Sequence, residues 1–123
     1  MRPLKQMLLD LLSDRGWELV SRDGDTDWWV EEHWLIRSAR ESWGQELTLS
    51  FLVAPDYEGH IKSRAIWAIG ATVEKPEVRF AVERGIAFTP LVKGQFKKCL
   101  RSLVGQLDEH RHRAVRNGGA RCQ

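Results

Sequence analysis

Cysteine is scarce in this chain: Cys99 and Cys122 are the only two. Thiols placed this way set up no disulfide framework and lack the paired spacing of a zinc site. A reducing compartment fits that usage. Long apolar runs are also missing. No segment approaches the roughly 20 apolar residues of a membrane span. Asp10 and Asp14 interrupt the apolar positions near the start, so no signal-peptide core forms. The expectation is a cytoplasmic protein without a membrane segment. Glycine-rich phosphate loops are absent as well, since Gly94 and Gly105 stand alone. The chain shows no helix-turn-helix spacing, no aromatic ribonucleoprotein motif and no Gly-x-x-Gly clamp. These absences remove the common signatures of nucleotide-binding, metal-dependent and secreted proteins.

Tryptophan is abundant. Six indoles occur in 123 residues, and Trp28, Trp29 and Trp34 fall together in one stretch. Side chains alternate along a strand. That rule places Trp28, Val30, Glu32, Trp34 and Ile36 on one face, with Trp29, Glu31, His33, Leu35 and Arg37 on the other. The first face suits a core. The second mixes Trp29 and Leu35 with charges, as a surface that meets a partner would.

A chain of this length forms one domain. Residues 3–15 read as an amphipathic helix, with Leu4, Met7, Leu8, Leu11 and Leu12 at helical spacing and Gly16 as its stop. Strands follow at 17–22, 28–38, 46–54 and 65–74, divided by turn signals such as Asp23-Gly24-Asp25 and Pro55-Asp56. Residues 77–83 alternate and supply either a fifth strand or an irregular crossing. In the fourth strand, Ala65, Trp67, Ile69, Ala71 and Val73 share one face. Ile66, Ala68, Gly70 and Thr72 share the other, taken as a face of small residues, and a helix is expected to approach there, near Gly70. Thr89-Pro90 resembles a helix start. The helix then runs to about residue 115 with Val92, Phe96, Cys99, Leu100, Leu103, Val104, Leu107 and Arg111 as its stripe, and Asn117-Gly118-Gly119 ends it. The sequence thus predicts an α+β domain over 1–116 and a disordered tail over 117–123. The domain is an antiparallel meander of four strands, or five if 77–83 pairs, with both helices on one face.

Charge is unevenly spread. Residues 1–92 carry a net charge of −4 and residues 93–123 a net charge of +6. Lys93, Lys97, Lys98 and Arg101 cluster on the last helix away from its apolar stripe, with Arg111, Arg113 and Arg116 beyond. Such a cluster suits an acidic partner or phosphates.

Catalytic and metal constellations are weaker. Glu31, His33 and Arg37 offer an acid/base set on one strand face, but no feature marks a pocket around them. Asp23, Asp25 and Asp27 resemble the start of a calcium loop, yet Trp34 stands where its closing glutamate belongs. His110 and His112 point apart on a helix, which leaves Asp108 with His112 as a two-ligand pair, too few for a metal site. No metal and no cofactor are implied.

The order helix, antiparallel sheet, helix is shared in outline with small secretion chaperones, immunity-type proteins and adaptor domains, an analogy that does not give function. The balance favours a binding protein over an enzyme. The expected function is a protein-binding module, dimeric or joined to another protein, using Trp29, Leu35 and Trp43 as anchors. The alternative is nucleic-acid binding through Lys97, Lys98 and Arg101, and the third reading is a small enzyme built on Glu31, His33 and Arg37.

Overall fold

The computed structural model describes residues 3–24, 30–39, 46–53, 66–73 and 85–121, with side chains described as far as 113. Seven elements follow one another: α1 (Leu4–Asp14), β1 (Trp17–Asp23), β2 (Val30–Ser38), β3 (Glu46–Val53), β4 (Ile66–Thr72), β5 (Ala87–Pro90) and α2 (Phe96–Arg121). The strands form one sheet in the order β1-β2-β3-β4-β5, each antiparallel to its neighbour. The expected α+β meander between two helices is therefore the fold, with five strands among the described residues.

Helix α1 ends where the sequence places its stop. Gly16 takes φ +78°, a left-handed conformation open to glycine without strain, and its N–H bonds the Ser13 carbonyl at 3.1 Å. Leu8 and Leu12 of α1 and Leu100, Leu103, Val104 and Leu107 of α2 pack on one sheet face, against Trp17, Trp34, Ile36, Leu47, Leu49, Phe51, Ile69, Ala71 and Ala87. Both helices therefore cover the same face. Each fully buried leucine there contributes about 1.5–3 kcal/mol from removal of apolar surface from water.

The helices lie against Ile69 and Ala71, not against the small row Ala68, Gly70 and Thr72. That corrects the expected approach at Gly70. The small residues that admit α2 are Ala71 and Ala87, paired across β4 and β5. Ala68 belongs instead to a second cluster on the far face, with Val30, Leu52 and Phe88.

Three single-residue bulges decide which side chains face where. Register shifts leave Val20 as an extra residue in β1, Glu31 in β2 and Trp67 in β4. A bulge inserts one residue and reverses the alternation beyond it. Val30 therefore faces away from Trp34 and Ile36, contrary to the strict period-two reading, and joins Leu52 opposite it. Likewise Trp67 leaves the face of Ile69 and Ala71.

The last strand and helix also differ from expectation. Thr89-Pro90 closes β5 and does not start a helix. Proline suits an edge strand, where its missing donor goes unneeded. The chain turns at Gly94, φ +82°, and α2 begins at Phe96, with Gln95 accepting from Cys99 N–H at 3.0 Å. Val92 consequently lies outside the helical stripe and is 47% exposed, while Cys99, Leu100, Leu103, Val104, Leu107 and Arg111 are buried as its spacing implies. The helix continues to Arg121, past Asn117-Gly118-Gly119. The alternating stretch 77–83 lies outside the described residues.

Candidate interaction surface

β5 is an edge strand, and an unguarded edge recruits other strands. Here α2 closes it. The Phe88 N–H donates to Gln106 Oε1 at 2.8 Å, and Gln106 Nε2 donates to the Phe88 carbonyl at 3.0 Å. The Gln106 amide stands where a sixth strand would pair. Pro90 presents no donor. β1, the opposite edge, is guarded by other means: the Val20 bulge breaks its regularity, and charged Arg22 sits on its exposed part. Neither edge favours extension of the sheet.

Association, if it occurs, must therefore use side chains. Trp67 is the largest one available. Its bulge leaves it 48% exposed, the most exposed of the described large apolar residues. Its ring meets half-buried Phe88 edge-on, centroids 6.1 Å apart at 66°, the geometry aromatic pairs prefer. The Trp67 carbonyl accepts from Leu91 N–H at 2.8 Å, which brings exposed Val92 to the same end of the sheet. Lys93, Lys97, Lys98 and Arg101 follow directly and are all exposed.

Two polar networks elsewhere are engaged within the fold. Lys5 Nζ reaches Glu31 and Glu32, each at 2.6 Å, and Arg22 holds Glu32 through two bonds of 2.8 and 3.0 Å. Burial works to raise the Glu32 carboxyl. The bonds from Arg22 and Lys5 outweigh it, helped by the Trp34 indole N–H, which lies outside hydrogen-bond geometry, and the group sits at about 2. At the far end of α1, Arg111 is 7% exposed and stacks 4.5 Å from the Trp17 ring centroid. Arg111 donates to the Arg15 carbonyl at 2.9 Å, Ser38 Oγ at 3.1 Å and Asp108 Oδ1 at 3.1 Å. Asp108 also accepts from Trp17 Nε1 and Arg15, each at 3.0 Å. An open depression is lined by Arg15, Gly105, Asp108, Glu109, Arg111 and His112, but its carboxylates are already engaged, Asp108 by these partners and Glu109 by Arg113. Close by, burial and then Arg113 hold the His110 imidazole below its ordinary range.

The sequence-derived residues fare differently. Glu31, His33 and Arg37 do not converge. Glu31, at its bulge, turns to Lys5. His33 is buried, its Nδ1 3.0 Å from Ser50 Oγ. Arg37 is exposed and paired with Glu18. Asp23 lies opposite His33, so Asp23, His33 and Ser50 form a row across three strands. Ser50 is fully buried, however, and a nucleophile must reach a substrate carbonyl. Leu35 is half-buried on the far face, between Ser21 and Thr48. Trp29, Trp43, Asp25, Asp27 and Cys122 lie outside the described residues. Lys97, Lys98 and Arg101 stand in the open. Arg111 does not extend their charge: it is buried and paired with Asp108, and Arg113 is paired with Glu109 at 3.8 Å. Among the described residues, no three His, Cys, Asp or Glu side chains gather to hold a metal. No described helix is long and apolar enough to cross a membrane.

No protein-family model matches this chain, nor does any curated protein or solved structure. Trp67 was missed at the sequence level because strict alternation buries it. The signal that could find it is an indole where β4 must bend to keep register.

Proposed function

We propose that this chain is a non-enzymatic protein-binding module of a reducing, cytoplasmic compartment. It engages another protein, as an adaptor, chaperone-like or immunity-like factor does, or a second copy of itself. The observation that carries the reading is Trp67, bulged out of its strand, 48% exposed and edge-on to Phe88, at the same end of the sheet as exposed Val92. Large aromatics at partly exposed apolar sites are the residues that anchor interfaces. The guarded sheet edges favour a dimer, where one forms, that meets through the same side chains.

The test is Trp67→Ala. Circular dichroism and thermal unfolding should stay close to those of the parent protein. Capture of partners from the native lysate, or self-association in sedimentation, should fall. An unfolded variant, or one that captures the same partners, would contradict the reading. Binding of nucleic acid is the second reading, supported by the exposed Lys97, Lys98 and Arg101. It requires affinity that falls steeply with salt and capture that disappears on nuclease treatment.

A further inference from the structure

We propose that the partner of this surface is an acidic protein segment with an apolar side chain. The apolar group seats on Trp67, Phe88 and Val92, and the carboxylates meet Lys93, Lys97, Lys98 and Arg101. The inference rests on the binding-module reading and adds the chemistry of the partner.

Charge accounting is its first support. Lys5, Arg15, Arg22, Arg37, Arg111 and Arg113 are all ion-paired. Lys93, Lys97, Lys98 and Arg101 have no ion pair among the described residues. Every described cation without an anion therefore falls in one cluster. The position is also unfavourable for the free protein. These cations flank the N-terminal end of α2, where the helix dipole opposes positive charge, and the first turn of α2 carries no acidic residue. Lys97 and Arg101 stand one turn apart and repel each other by about 0.2–0.5 kcal/mol. An anionic partner relieves both effects.

Placement is the second support. Lys98, Ser102 and Gln106 share one row of α2, and Gln106 Nε2 reaches Ser102 Oγ at 3.3 Å. Gln106 also holds Phe88, so this row runs along β5. At a rise of 1.5 Å per residue, Lys98 lies about 12 Å from Gln106 toward the start of the helix, level with the end of β5 where Trp67 and Val92 stand. Trp67 and Phe88 lie on the sheet face away from α2, so the segment crosses the β5 edge to reach Lys93 and Lys98; Lys97 and Arg101, about 180° and 140° from Gln106 around the helix, carry the charge onward over the start of α2.

A protein segment fits this surface better than a nucleic acid. The aliphatic Val92 offers nothing to a base, and residues 1–92 carry a net charge of −4, which repels an extended polyanion running beyond the ridge.

The test uses three fluorescent probes: a short Glu/Leu peptide, its Gln/Leu counterpart and oligo(dT). The Glu/Leu peptide should bind the intact protein about tenfold more tightly than the Gln/Leu peptide, and Lys97→Gln with Lys98→Gln and Arg101→Gln should erase that difference. Trp67→Ala should weaken the Glu/Leu peptide by about thirtyfold, as loss of an interface anchor does. Equal binding of both peptides, no binding of either, or tighter binding of oligo(dT) would overturn the proposal. A photo-crosslinker placed by Trp67→p-benzoylphenylalanine separates this from the broader reading. Crosslinking in cells to a protein, with a yield unchanged by the three glutamine substitutions, leaves the binding module standing and overturns the acidic partner. Absence of any protein crosslink takes both readings down.

Discussion

The two ends of α2 use the same residue types in opposite ways. Toward its later turns, Arg111 is buried, stacked on Trp17 and bonded to Asp108, Ser38 and the Arg15 carbonyl. That arginine joins α2 to the turn between α1 and β1. At the start of the helix, Lys97, Lys98 and Arg101 bond nothing among the described residues. The difference teaches that a basic helix is not one feature. One end is a structural clip whose charge is consumed within the fold, and the other carries charge left over for something else. A net charge of +6 over residues 93–123 averages the two and hides the distinction.

Substitutions should separate the ends cleanly. The largest effect is expected for Arg111→Leu. It leaves the Arg15 carbonyl and Ser38 Oγ without their donor, takes one of three partners from Asp108 and removes the contact with Trp17, a loss of about 2–4 kcal/mol. Urea unfolding reads this directly. A loss below about 1 kcal/mol, the range of a surface ion pair, would place Arg111 with the surface cations and dissolve the contrast.

The ion network over β2 gives the next effect. The folded-state pKa of Glu32, about 2, lies below its ordinary 4.5. Its contribution is therefore complete above about pH 4.5 and is lost as the pH falls through about 2. Solvent at Arg22, 51% exposed, screens part of it, which leaves on the order of 2 kcal/mol. Glu32→Gln should flatten the acid limb of the stability–pH curve between those values. An unchanged limb would show that other carboxylates carry it.

Gln106→Ala should cost about 1–2 kcal/mol, because it leaves the N–H and carbonyl of Phe88 without the amide that closes them. Hydrogen exchange at the Phe88 amide should quicken more than at Ala71, and the open edge should raise the tendency to aggregate. Equal quickening at both amides would mean that the sheet loosens as a whole.

The smallest effect has the opposite sign. Lys97→Gln with Lys98→Gln and Arg101→Gln removes like-charge contacts at a helix start, and stability should hold or rise by about 0.5 kcal/mol.

Much of this architecture was legible in the sequence. The α1 spacing and Gly16, the alternation of β3 and the stripe from Cys99 to Arg111 reflect local geometry, and local geometry is what periodicity records. The bulges were not legible. Val30, Glu31 and Trp67 took their faces from single-residue insertions that depend on how neighbouring strands meet. Pro90 read as a helix start because proline suits both a first helical turn and an edge strand, and only pairing with Ala68 decides between them. The site was legible in half. Composition pointed to the basic ridge, while Trp67 required knowledge of its bulge. Glu31, His33 and Arg37 looked adjacent under strict alternation; the insertion turns Glu31 to Lys5, while His33 is buried against Ser50 and Arg37 is drawn to Glu18.

The most direct measurement applies both readouts to the glutamine triple variant: urea unfolding, and binding of the Glu/Leu peptide. The account predicts unchanged or slightly higher stability together with a loss of about tenfold in affinity. A variant that loses stability, or that binds as the parent protein does, would contradict the claim that this end of α2 is held for a partner.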